Sequence, residues 1–435
     1  MCGIAGYFSL EDNIAITENS LLNLGNNCLS HLKNRGPESS EVKLVASNGI
    51  MCHSRLRVSD DSASNDQPLI SDASTIVYNG ECYNLDQINK WLGKHSSADN
   101  NDTRTVQVLL ELFGVHGLSQ IEGMFALSWF DHKNKRLLIA RDRYGQKPLF
   151  FYWKNGVFAF ASSILALLEL LANQSLKLNI KASYAYLCLR YFPEPETAID
   201  GIYKLEPGQF GLLDLSSKDF ALKRFSYIGH RGCMPDNSKL KVKRDWRIGD
   251  IRSTINDSVR RCLTDRSAVI ISGGVDSGVV AAEVGQIDLK ADKKFRRKAY
   301  TLRLSHQPKE EVLAAKKIAE TYDWDHQVIE VDDRSLVTSF LRSVPKLGEP
   351  VGDRSLLTSL LLYQIIAPHA KVVIGGDGGD EFFCGYSRHR SIENILSKEN
   401  WSNWVAIYLS HCLPVCSKKL WKIILNSNNG SSLKS

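Results

Sequence analysis

The chain has 435 residues, of which 43% are hydrophobic and 23% charged, and its formal net charge is +6 at pH 7. That length exceeds one ordinary domain, and that balance excludes a disordered or fibrous chain and fits a globular protein with full cores. The ten cysteines are scattered without a CxxC pair, which argues against zinc, and no apolar run is long enough to span a bilayer. Most cysteines read as reduced, buried thiols, and the Cys412 and Cys416 pair as packing on a helix. Met1-Cys2-Gly3-Ile4 runs straight into the fold without a signal peptide, so the expected compartment is cytoplasmic. The densest basic run, Lys293-Lys294-Phe295-Arg296-Arg297-Lys298, reads as a solvated connection before a strand rather than a nucleic-acid patch.

Residues 1–165 read as short strands separated by turns: Gly3–Leu10, Val42–Ser47, Ile50–Leu56, Thr75–Tyr83, Phe125–Asp131, Arg136–Arg141 and Pro148–Ser162. Two helical segments interrupt them, about Ser20–Asn34 and Thr103–His116, which together predict an α+β layered domain. Cys2 is the first candidate for chemistry. Removal of Met1 leaves a thiol and a free α-amino group on one residue, and an amine titrating near 7.7–8.0 can take the thiol proton at neutral pH. A cysteine at position 2 says little alone; its company decides. In order come Arg35-Gly36-Pro37, His53-Ser54-Arg55-Leu56, Gln67-Pro68, Asn79-Gly80-Glu81-Cys82-Tyr83-Asn84, Gly123-Met124-Phe125-Ala126 and Ala140-Arg141-Asp142-Arg143-Tyr144-Gly145-Gln146-Lys147-Pro148-Leu149.

With MCGI, this series resembles the glutaminase domain of class II glutamine amidotransferases, an N-terminal-nucleophile fold. The resemblance implies that Cys2 attacks the glutamine amide and that the Asn79 side-chain amide and the Gly80 backbone N–H serve the oxyanion. It implies that Arg55 clamps the substrate α-carboxylate, and that Glu81 and Asp102 hold the α-ammonium. Asn79-Gly80 is also a common hairpin turn, and Arg55 could be a surface charge. Two positions depart from the family pattern. Glu38 stands where Asp is usual, keeping the charge, and Arg104 stands where Glu is usual, reversing a charge beside Asp102.

Residues 166–244 read as a linking region, including Tyr191–Thr197, Ile199–Gly208 and a surface loop from Gly229 to Arg244. From about Asp245 the period changes. Apolar runs at Ala268–Ile271, Tyr300–Leu304, Val328–Val331 and Val372–Ile374 alternate with helical segments near Gly278–Val284, Lys309–Tyr322 and Leu356–Ala367. Such alternation predicts an α/β parallel sheet over 245–435, with ligands at the carboxyl ends of its strands. Ser272-Gly273-Gly274-Val275-Asp276-Ser277 lies at one such end and suits phosphate, with Asp276 placed to hold a bridging Mg²⁺. It lacks the spacing of a P-loop. Gly375-Gly376-Asp377-Gly378-Gly379-Asp380-Glu381 lies at another end, and three close carboxylates favour a cation.

The hexapeptide resembles the pyrophosphate loop of N-type ATP pyrophosphatases. With the acidic loop and the following Phe382-Phe383-Cys384-Gly385-Tyr386, the chain resembles the glutamine-hydrolysing asparagine synthetase family from Met1 to about Arg390. The resemblance implies ATP binding by Ser272, Gly273, Gly274, Asp276, Ser277, Gly375 and Gly376, with Ile270 and Leu302 against the adenosine. It implies Mg²⁺ on Asp276 and Asp380, and Asp377 facing the reacting acyl group. Lys309-Glu310-Glu311 with Ala314-Ala315, and Gly348-Glu349-Pro350 with Asp353 and Ser355, resemble further family segments. By that resemblance, family members normally continue well past this point with a helical segment whose lysine serves acyl transfer. No counterpart of it can be named in the amphipathic stretch Trp401–Leu425 or the end Asn426–Ser435, which leaves open a natural short form, a truncated product or a partner-dependent chain.

The expected function is an ATP-dependent amidotransferase whose substrates are glutamine, ATP and a carboxylic acid acceptor, aspartate by default. A sugar uronate of surface polysaccharide is an alternative acceptor. A glutaminase with an incomplete synthetase half, and a silent binding subunit, are rival readings. Neither nucleic acid nor membrane is an expected partner, and a homodimer is admitted.

Overall fold

Gly3–Ser9 is a strand buried at every position. Side chains alternate across a strand, so such a strand needs apolar layers on both faces. Ala5 and Tyr7 pack with residues of the helices Glu18–Leu32 and Ile164–Leu170, while Ile4 and Phe8 enter a second core between two sheets. The computed structural model describes residues 1–10, 16–58, 62, 65–95, 101–226, 247–291, 295–304, 309–387 and 389. The expectations for Gly229–Arg244, Cys412, Cys416, Trp401–Leu425 and Asn426–Ser435 lie outside the described residues.

The first sheet runs Ile202–Lys204, Phe150–Lys154, Val157–Ala161, Gly3–Ser9, Gly49–Arg55, Ser39–Ala46. The second runs Asp219–Arg224, Gln209–Asp214, Arg136–Arg141, Gly123–Asp131, Ser74–Cys82, Leu69–Ile70. Every pairing in both is antiparallel. Phe8, Met51, Phe130, Phe158 and Phe160 fill the space between the sheets. The helix Asp102–Phe113 and its neighbour Leu85–Leu92 cover the outer face of the second sheet. The result is a helix–sheet–sheet–helix sandwich, the architecture expected of an N-terminal-nucleophile domain.

Two local features differ from the sequence reading. Pro148–Ser162 is a hairpin rather than one strand, because Asn155 and Gly156 both adopt positive φ, 53° and 64°, the conformation a tight two-residue turn requires. Asn79-Gly80 is the reverse case: it lies inside the strand Ser74–Cys82, paired with Ala126 and Phe125, and makes no turn. The segment 202–224 contributes three strands to the two sheets.

The third sheet is parallel, in the order Asp325–Val331, Lys298–Leu304, Ser267–Ile270, Val372–Ile374. Helices Val275–Lys290 and Lys309–Thr321 pack on one face through Ala281, Val284, Ala315 and Ala319. Helices Asp333–Ser343 and Ser355–Ile366 cover the other through Leu336, Leu362 and Ile366. Within the basic run, Arg297 is no solvated charge. It is 1% exposed and holds Asp288 through two nitrogens at 2.6 and 2.7 Å. Among the described residues, no helix is long and apolar enough to cross a membrane, and every cysteine is a free thiol.

Candidate active sites

Cys2 sits at the mouth of a cavity of about 440 Å³ that is also lined by Arg55, Leu56, Gly80, Glu81, Asp102 and Thr103. Antiparallel pairing of Gly3 with Ser54 brings the end of the strand Gly49–Arg55 beside it. The Cys2 Sγ accepts from the Leu56 N–H at 3.4 Å and donates to the Leu56 carbonyl at 3.7 Å. Burial pushes the thiol above its usual pKa, so a nearby base is needed to form thiolate. Burial has the opposite effect on the neighbouring α-amino group, here on Met1, lowering it to about 6.

Asn79 is 1% exposed, and its Nδ2 has no hydrogen-bond partner. An unpaired buried amide N–H is costly, and such a donor points to a missing acceptor. A Cβ on Gly80 would lie 2.5 Å from the Met124 carbonyl oxygen, so the strand pair closes only over glycine.

Arg55 is 8% exposed, and its Nη1 donates to the Ser62 carbonyl and to Asp66 Oδ1, each at 2.6 Å. This excludes the surface-charge reading and makes Asp66 a residue that sequence reasoning missed. Glu81 and Asp102 both face the cavity. Burial, with the Asp102 charge adding, raises the Glu81 carboxyl to about 7. Burial raises Asp102 too, against hydrogen bonds from the Thr103 N–H and hydroxyl. Each of these buried carboxyls thus makes ionisation of the other less favourable. Arg104 does not line the cavity; its backbone N–H caps on the Asn101 side chain at 2.9 Å.

Lys147 belongs to the segment Ala140–Leu149, in which the sequence alone assigns it no role. Asp142, fully buried, accepts from the backbone N–H groups of Phe125, Tyr144, Gln146 and Lys147 at 3.0–3.2 Å, and so shapes that loop. The loop brings the Lys147 ammonium into the field of Glu81, Arg35 and Cys2, and burial lowers its pKa. A lysine inside a run of charged residues carries no sequence signal of this.

In the parallel sheet the two glycine loops interlock. Ser272 and Ser277 join through their hydroxyls at 2.8 Å, and Ser277 Oγ also accepts from the Ser272 N–H at 3.1 Å. Gly273 has φ +82°, and a Cβ there would lie 2.1 Å from the Glu311 carbonyl oxygen. The helix Val275–Lys290 starts from Gly274 with no side-chain cap, leaving its first amides facing the loop. A Cβ on Gly376 would lie 2.5 Å from Ser277 N, and one on Gly379 would lie 2.5 Å from Asp276 Oδ2. The Asp276 carboxylate thus rests on the segment carrying Asp380. Gly375 lies 3.7 Å from Asp377 Oδ2 by the same measure, and the Asp377 charge adds to burial in raising the Tyr363 hydroxyl. Ile270 and Leu302, on adjacent strands, are part-buried and share one face of the sheet.

Among the described residues no cluster of three or more His, Cys, Asp or Glu could hold a metal alone. The Asp276 carboxylate lies against Gly379, and the Asp380 carboxylate against Gly385, where an added Cβ would sit 1.9 Å from its Oδ1. Glu349 pairs with Lys204 at 2.7 Å and leaves its other oxygen buried without a partner.

The glutamine amidotransferase domain model matches residues 1–226, and the asparagine synthase model matches 250–429. A Mycobacterium tuberculosis protein provisionally named a glutamine-hydrolysing asparagine synthetase is 28% identical over 411 residues, covering 90% of this chain and 61% of its own. Glutamine-hydrolysing asparagine synthetase 1 of Bacillus subtilis is 26% identical over 407 residues, covering 90% of this chain and 60% of its own. An amidase of Gibberella zeae is 26% identical over 358 residues, covering 78% of this chain and 51% of its own. The chain therefore spans about three-fifths of the length of such relatives.

Proposed function

Because the chain belongs to the glutamine-hydrolysing asparagine synthetase family, we propose that it is an ATP-dependent amidotransferase forming an amide from a carboxylic acid and glutamine nitrogen. The observation that carries this is the presence, in one chain, of a cavity lined by Cys2, Arg55, Gly80, Glu81 and Asp102 and of two interlocked phosphate-type loops. Two functional units are proposed, a glutaminase from Met1 and a synthetase that includes both loops.

In the first, Cys2 freed of Met1 passes its thiol proton to its own α-amino group, and the sulfur attacks the glutamine amide carbon. Asn79 Nδ2 and the Gly80 N–H stabilise the oxyanion, ammonia leaves, and water hydrolyses the thioester to glutamate. Arg55 orients the α-carboxylate, and Glu81 and Asp102 hold the α-ammonium. In the second, an oxygen of the acceptor carboxylate attacks the ATP α-phosphorus and pyrophosphate leaves. Ammonia then attacks the acyl carbon and AMP departs. Ser272, Gly273, Gly274, Ser277, Gly375 and Gly376 cradle the phosphates. Asp276 and Asp380 would hold a Mg²⁺, which neutralises phosphate charge. Ile270 and Leu302 pack against the base, and Asp377 faces the acyl group.

Aspartate is the first acceptor to test. The relatives named amidases support a second reading, another acid in its place. The test is AMP release from Mg-ATP and ammonium chloride with a panel of acids, aspartate and glucuronate included. AMP dependent on one acid supports the reading and identifies the acceptor. No AMP with any acid, while glutamine is still hydrolysed, reduces the protein to a glutaminase. The family and the fold suggest a compartment with ATP and reduced thiols, the cytoplasm.

A further inference from the structure

Glu38, in the position where the family usually has Asp, does more than keep a charge. It follows Arg35-Gly36-Pro37, a turn pressed so closely on the strand end that a Cβ on Gly36 would lie 2.2 Å from the Ser54 carbonyl oxygen. One Glu38 oxygen accepts from the Arg57 N–H, and the other meets Lys371 Nζ. Lys371 Nζ also donates to the Arg57 carbonyl at 2.8 Å. The N–H and the C=O of one residue are thus both tied, and the two side chains that tie them hold each other.

The ends of this ring reach both sites. On one side, Leu56 contacts the Cys2 sulfur, and Arg57 Nη2 bonds Asp66 at 3.0 Å, the same carboxylate that holds Arg55. On the other, Lys371 opens the edge strand Val372–Ile374, which runs into Gly375 and Gly376, and Gly376 packs on the backbone of Asp276 and Ser277. The Lys371 and Glu38 side chains are 34% and 28% exposed, and pairs so open to solvent contribute little stability. The specific clamp on both backbone polar groups of Arg57 calls for another purpose.

We propose that Lys371 and Glu38 are positioning residues that tie the Leu56–Arg57 strap beside Cys2 to the strand ending at the nucleotide loops, so that nucleotide binding alters glutamine hydrolysis. A nucleotide that shifts Gly375-Gly376 pulls on Lys371, and Lys371 moves the strap that holds Cys2 and, through Asp66, Arg55. This rests on the reading of the loops as an ATP site.

The test uses the full chain. Mg-ATP binding is followed by calorimetry, and kcat/KM for glutamine is measured with and without saturating Mg-ATP. The wild type is expected to change kcat/KM by about threefold or more, a coupling of the usual size for linked sites. Lys371→Met and Glu38→Gln should bind Mg-ATP within about twofold of wild type and respond by less than about 1.5-fold, and Lys371→Arg should keep the response. A merely structural pair would shift stability and leave this ratio alone. Variants that bind Mg-ATP and respond fully overturn the proposal, as does a wild type that binds Mg-ATP without any response. A wild type that binds no Mg-ATP overturns the ATP-site reading itself, so the two failures are told apart.

Discussion

Glu81→Gln should make the protein more stable and a poorer glutaminase, and the stability gain should depend on pH. In the folded protein the Glu81 carboxyl titrates near 7 against an ordinary value of 4.5, raised by burial and then by Asp102. A raised acid contributes stability below about pH 4.5 and loses it as pH rises through about 7. At about 1.4 kcal/mol per tenfold change in proton affinity, the ionised Glu81 costs up to roughly 3 kcal/mol above pH 7. Glutamine resembles the protonated acid and escapes that cost. The glutaminase transition, followed by calorimetry, should therefore melt higher in the variant by several degrees at pH 8.5, with a gain that shrinks steadily toward pH 5. The same substitution removes a charged partner for the substrate ammonium, so kcat/KM for glutamine should fall on the order of 10²-fold. In wild type kcat/KM should rise with pH through about 7 as Glu81 ionises, and the variant should lack that limb. A gain independent of pH, or a loss at pH 8.5, would refute the argument that the site holds a strained carboxylate for a cation.

Cys2→Ala should abolish glutamine hydrolysis while ammonium-dependent AMP release continues, as two-substrate kinetics would show. Asn79→Ala should lower kcat for glutamine by about 10²–10³ with little change in KM, because its donor acts on the oxyanion and not on the ground state. Gly379→Ala should abolish AMP release and spare glutaminase activity, since the added methyl would meet the Asp276 carboxylate at about van der Waals overlap; a fully active variant would dissolve the interlocked-loop picture.

Strand periodicity made most of both sheet systems legible, because strands such as the buried Gly3–Ser9 and the half-buried Val372–Ile374 are runs of mostly apolar or small residues bounded by turns. The helix Ile248–Cys262 was missed: it is polar and meets the core mainly through Val259. Strands Gln209–Asp214 and Asp219–Arg224 were missed as well, since the second is mostly exposed and reads as a loop. In the candidate sites, residues that need a special backbone were easy to see, such as Gly80 and Gly376. Asp66 and Lys147 were not, because their importance comes from which side chains the fold sets beside them. Asn79-Gly80 shows the limit of local signals, since the same dipeptide type makes a turn at Asn155-Gly156 and a strand interior here.

The most direct test of the central claim is the fate of nitrogen from glutamine labelled with ¹⁵N in the amide, supplied with Mg-ATP and the acid that supports AMP release. The account predicts ¹⁵N in the amide of the product, formed together with AMP, and none of it in the Cys2→Ala protein. Product amide that carries no label, or labelled product from Cys2→Ala, would contradict it.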